Sequence, residues 1–135
     1  MNVISFQTVE GKRGVAPIEA VSAMLDAPQG AVFVLAGGTC VRTTTPWSTC
    51  IDMASTWWPD DVVVAVVVAN GPVPIRGAVR LSRVAAVVAA QDPSLPAAGT
   101  VDVALTNGGT IPIVGTVEGF VAEATRPRLR LVRPR

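Results

Sequence analysis

Two cysteines, Cys40 and Cys50, one adjacent carboxylate pair, Asp60 and Asp61, a single Gly11-Lys12 step and an arginine-rich end are the residues here whose types can carry chemistry. The chain has no histidine. That removes the commonest general base, the usual partner of a nucleophilic Ser or Cys, and the commonest metal ligand. Two cysteines without histidine do not complete an ordinary zinc site. Gly11-Lys12 is followed by Arg13 rather than Ser or Thr and lacks the earlier glycine of a phosphate-binding loop, so it reads as a turn. Adjacent acids on a strand point to opposite faces, which argues against shared acid–base work by Asp60 and Asp61. They are expected to solvate the entry to the apolar run 62–69 and to guard it against edge pairing. The expectation is a protein that is not an enzyme and holds no metal or cofactor.

The other notable residues suit contact rather than catalysis. Trp57 and Trp58 stand in the linker "STWWPDD", where they either seal a seam or meet another protein. Arg126, Arg128, Arg130, Arg133 and Arg135 fall within the last ten positions, so residues 1–125 carry six basic against ten acidic groups although the whole chain has a net charge of +1. Arg128, Leu129, Arg130 and Leu131 alternate between Pro127 and Pro134, as on an edge strand with one basic and one apolar face. Such a tail could bind phosphates or join a neighbour's sheet. An acidic body without tyrosine favours protein over nucleic acid. The two tryptophans and these five arginines are therefore the candidate partner-binding residues. The expected partners are other protein subunits in an oligomeric assembly, with DNA or RNA as the alternative.

The elements that must position these residues occur twice. At an offset of 71, Gly37, Gly38 and Thr39 fall on Gly108, Gly109 and Thr110, Thr45 on Thr116, and Asp52 on Glu123. In each copy a strand ("AVFVL", "TVDVAL") meets a Gly-Gly turn and a second short strand ("CVRT", "TIPIV") follows, a hairpin signal. A helix should start next, with Thr44 or Thr45 capping a helix whose first residue is Pro46, and with Thr116 capping the other. The apolar stripes expected to face the sheet are Trp47, Cys50, Ile51, Ala54 and Val117, Phe120, Val121, Ala124. At the same offset Cys40 and Cys50 fall on Ile111 and Val121, so both thiols are expected to be buried as small hydrophobes.

Upstream, "VISFQTV" and "VVVAVVVA" read as opening strands, followed by the turns "EGKRG" and "NGPVP". The next segments, 17–26 and 81–91, have helical spacing but also strand composition. They read as one helical turn passing into a strand, with a continuous helix as the alternative. The fold class that follows is mainly β (α+β): two tandem β-rich modules, each a hairpin plus a short C-terminal helix, packed as one domain with pseudo-twofold symmetry. The modules span 1–56 and 62–125, joined by a linker at 57–61, with an arginine-rich tail at 126–135.

The stretch "VDVALTNGGTIPIVGTVEGFVAEA" (101–124), with Thr106, Asn107 and Gly108 at its turn, resembles the flagellar FlbD-like proteins, and its hairpin is similar to that of LytTR-type DNA-binding domains. The resemblance covers about a third of the chain, implies a small β module, and transfers no functional residue. The first copy has Ala36 where that motif has its Asn.

The apolar run 62–69 is shorter than the ~20 residues of a spanning helix, and the N-terminus has no export-signal pattern. A cytoplasmic or virion location is expected. With a Val/Ala/Pro/Thr-rich composition, these features suggest a structural protein that makes protein–protein contacts in a larger complex, such as a bacteriophage decoration or connector protein. The alternative is a small regulator that binds nucleic acid through the tail.

Overall fold

Among the described residues, Val- and Ala-rich runs broken by Gly and Pro form ten short strands and two α-helices, because β-branched side chains fit a pleated sheet and glycine supplies its turns. The computed structural model describes residues 2–68, 74–90, 99–106 and 108–126. In chain order these are β1 (Val3–Gln7), β2 (Arg13–Pro17), a 3-10 turn (Ile18–Ala20), β3 (Val21–Ala27), β4 (Gly30–Leu35), β5 (Cys40–Arg42) and α1 (Trp47–Trp57). The succession then repeats as β6 (Val62–Val67), β7 (Ile75–Arg80), a 3-10 turn (Leu81–Arg83), β8 (Val84–Ala90), β9 (Thr100–Leu105), β10 (Thr110–Val114) and α2 (Val117–Thr125). Eight strands form one antiparallel sheet in the order β5-β4-β3-β7-β6-β10-β9-β8, and β1-β2 form a separate ribbon. The two modules share the large sheet through β3 and β7, and Ala23, Met24 and Leu25 lie opposite Val79, Ala78 and Gly77.

The repeat extends to individual hydrogen bonds. The Thr8–Thr43 bridge recurs as Val67–Ile113, and the bond from Val9 N to Arg42 O recurs from Val68 N to Pro112 O. The bond from Ala36 N to Ala20 O recurs from Thr106 N to Arg83 O. Both third strands carry a register shift at the same place, between Val21 and Ala23 and between Val84 and Ala86. These pairs correct the alignment. From β4 to α2 the copies match at an offset of 70, since Leu35 N bonds Thr39 O as Leu105 N bonds Gly109 O, and Val34 faces Cys40 as Ala104 faces Thr110. The sequence offset of 71 follows the Gly-Gly pairs, which sit one step apart on otherwise equal hairpins. Gly38 and Gly109, both at positive φ, bring the two hairpin tips together, and a Cβ on Gly109 would lie 3.5 Å from Gly38 Cα.

The ambiguous segments each resolve as one 3-10 turn running into a strand, the second as far as Ala90, with Gln91 outside the described residues. A continuous helix would bury one stripe, whereas β3 buries consecutive residues because both faces of the sheet are covered. Other details differ from expectation. Pro46 is the N-cap residue of α1 rather than its first residue, and α1 has no side-chain cap, while Thr116 caps α2 by accepting from Gly119 N at 3.0 Å. Trp57 is the last residue of α1. Cys50 is buried but Cys40 is exposed: it lies opposite the buried Val34, on the edge strand β5, where no further strand covers it among the described residues. Val121 is also exposed, and the buried stripe of α2 runs through Val117, Phe120 and Ala124.

Each helix covers a core of its own. Beneath α1 lie Ile4, Val21, Met24, Phe33, Cys50 and Ala54, with Phe6 meeting Phe33 edge-on at 5.6 Å. The matching places beneath α2 hold Val63, Val84, Val87, Val103, Phe120 and Ala124. Volume has moved from sheet to helix, since Phe33 and Cys50 in the first core correspond to Val103 and Phe120 in the second.

Candidate interaction surface

The linker tryptophans divide. Trp58 is 4% exposed and packs in the first core, while its neighbour Trp57, on the last turn of α1, is 43% exposed. Among the described residues the Trp58 indole N–H has no hydrogen-bond partner, and packing and the Arg80 guanidinium, 4.7 Å above its ring, hold it in place.

Arg80, almost fully buried at the end of β7, is the centre of a polar clasp that the sequence did not reveal. Its Nη1 donates to Val21 O at 2.9 Å and its Nε to Asp61 Oδ2 at 3.3 Å, and its Nη2 lies 3.6 Å from Glu19 Oε2. Asp61 also accepts from Ser82 N at 2.7 Å and Ser82 Oγ at 2.6 Å. This corrects the expectation for Asp61: it anchors the linker to the second 3-10 turn rather than solvating a strand. Arg83 Nη2 donates to Glu19 O at 2.6 Å. On β7, Arg76 pairs with Asp26 at 2.7 Å and lies over Trp47 at 5.4 Å. All three arginines thus bridge the second module to the first, and their charges are engaged within the protein. An arginine inside a short strand reads from sequence as a solvated position, and no spacing rule distinguishes one that reaches a distant carbonyl.

Of the candidate arginines, Arg126 follows α2, is exposed, and pairs with Glu123 at 3.3 Å. Arg128, Arg130, Arg133 and Arg135 lie outside the described residues, as do most of the "NGPVP" turn and Ala69. Trp57 ends one helix, and Arg126 follows the other.

Apolar side chains make up the rest of the exposed surface that stands out. Val64, Val66 and Val121 are exposed, and the two β6 valines line a half-open groove of about 320 Å³ with Ile113, Thr116, Phe120 and Glu123. This groove lies between β6, β10 and α2, near where the Val67–Ile113 pair and the bond from Val68 N to Pro112 O join the two strands. Val15 on β2 and Val88 on β8 are also exposed.

Burial, with a smaller contribution from the charge of Asp26, pushes the Cys50 thiol from the ordinary 9.0 up to about 11, which keeps it protonated and inert near neutral pH. Among the described residues no group of three His, Cys, Asp or Glu side chains is placed to hold a metal ion, and no helix is long and apolar enough to cross a membrane. No family model, curated protein or solved structure matches the chain.

Proposed function

We propose that this is a non-catalytic assembly protein that makes protein–protein contacts within a larger complex. The observation that carries this reading is the distribution of side chains on ordered elements. Val64, Val66, Val121 and Trp57 are presented to solvent from β6, α2 and α1, while Arg76, Arg80 and Arg83 are engaged in contacts between the modules. Val64 and Val66 share one groove, and exposed apolar side chains held on ordered strands and helices are what a protein partner buries. A bacteriophage virion, with this chain as a decoration or connector component, is the setting that the Val/Ala/Pro/Thr-rich composition supports.

A second reading has one observation in its favour, the five arginines of the last ten residues, which suit phosphate contacts to DNA or RNA. The two readings separate by salt. An assembly protein gives a complex whose mass in solution persists at high salt. Retention on duplex DNA that disappears with moderate salt, or on deleting residues 126–135, would replace the first reading with the second.

A further inference from the structure

The two modules are equivalent in their hydrogen bonding, yet only one of two equivalent edges is filled. Strand β3 pairs with β4 on one side and β7 on the other, whereas its counterpart β8 pairs with β9 and, among the described residues, has no strand on its second side. The counterpart of β7 is β2, which pairs only with β1 among the described residues. The β3–β7 seam therefore has an unmade twin between β8 and β2.

Burial records the same vacancy. In the filled seam, Ala78 of β7 is 1% exposed and completes the core beneath α1; its counterpart Val15 on β2 is 64% exposed. Ala23 is buried and Leu25 partly so, but their counterparts on β8 are open, Ala86 to solvent and Val88 at 58%. Strand β8 reads VAAVVAA, seven apolar residues without a charge or a proline. Natural edge strands normally carry such gatekeepers, because an unguarded edge pairs with whatever strand it meets.

We propose that β8 of one copy pairs antiparallel with β2 of a second copy of this chain, in the register that β3 and β7 already use. Ala86 then lies opposite Ala16 of the second copy, Val87 opposite Val15, and Val88 opposite Gly14. The fit of these edges follows from the seam itself. Gly14 and Gly77 hold equivalent places, and a Cβ on either would collide with a neighbouring side chain, Phe6 for Gly14 and Val67 for Gly77. Val15 of the second copy reaches Val87 as Ala78 reaches Met24, extending the core beneath α2. Each chain offers one edge of each kind, so two copies satisfy both when the pairing is reciprocal. The inference deepens the assembly reading by naming the partner at this edge.

Mixed cross-linking tests it. Opposite residues on antiparallel strands hold their Cα atoms about 4.5–5.5 Å apart, within the span of a disulfide. In a Cys40→Ser background, Val15→Cys and Val87→Cys chains are prepared separately, mixed and oxidised gently. The expected result is a covalent species of twice the chain mass in the mixture and not in either variant alone. Adding Val88→Lys to the Val87→Cys chain, a change at an exposed position that leaves the core intact, should weaken dimerisation about tenfold. A chain ending at Arg126 should cross-link as well as the full chain. Three results overturn the proposal: no covalent dimer in the mixture, a bridge within one chain when both cysteines share it, or cross-linking that appears only after the tail is removed. If the edge fails while a salt-resistant complex with other subunits persists, the assembly reading stands and only this partner is lost.

Discussion

The core beneath α1 and the core beneath α2 are built from the same strands, in the same order and with the same hydrogen bonds, but they are closed to different degrees. The first receives Ala78, Val62 and Trp58 from the second module and the linker, while the second receives nothing equivalent from β2. Backbone pattern and side-chain closure are therefore separable. A duplicated hydrogen-bond network sets the frame, and the single linker of a tandem pair breaks the symmetry of what fills it.

The largest test of that contrast is truncation of the aromatic anchors. Phe33→Ala should cost about 3–5 kcal/mol in denaturant unfolding, because Phe33 is fully enclosed and carries the edge contact with Phe6. Phe120→Ala, beside the open groove, should fall at about 3 kcal/mol. Equal losses would mean that the second core is as closed as the first. Next comes the clasp. Asp61→Ala leaves the buried Arg80 guanidinium without its nearest carboxylate and should destabilise by about 3 kcal/mol, more than Arg80→Met, which removes the buried charge and replaces it with an apolar side chain. The opposite ranking would show that Arg80 acts through its bond to Val21 O rather than through charge.

Titration gives a smaller effect, confined to the first core. The folded protein holds the Cys50 proton up to about 11 while the unfolded chain releases it near 9.0. The folded state thus binds more protons in that window, and stability should fall by about 1.4 kcal/mol per pH unit as pH rises from 9 to 11. Cys50→Ala should remove that slope when unfolding is followed across the window, and a thiol reagent at neutral pH should label Cys40 alone. Smallest is the cap. Thr116→Ala should cost about 1 kcal/mol by freeing Gly119 N, whereas Thr45→Ala should cost no helix cap, since α1 has no side-chain cap to lose.

The duplication was legible in the sequence because it is written in local signals. Glycines fix the hairpin tips, a threonine marks the start of α2, and helix-to-strand segments are short and β-branched. The register was not, because Gly37-Gly38 and Gly108-Gly109 are the strongest local identity and sit one residue out of step with the strands around them. Burial followed from periodicity where one face meets one core, as at Phe120 and Ala54, and failed at Val121, which is exposed on α2, and at Cys40, which lies opposite buried Val34 but on the edge strand. The Arg80 clasp and the edges of β2 and β8, each with one strand partner among the described residues, were beyond reach for one shared reason. Both depend on which strands of different modules become neighbours, and composition along the chain carries almost no information about that. Of the residues singled out for contact, Trp57 and Arg126 are exposed and Trp58 is an internal bolt.

The meeting of Gly38 and Gly109 at the hairpin tips has a practical consequence. Two loops that abut backbone to backbone cannot grow independently, so an insertion in either must push the other aside and lever the halves apart. Engineers seeking a place for an epitope or a fluorophore, and natural variation seeking room for extra residues, would do better at the Thr8–Lys12 bend, where Gly11 looks onto open space.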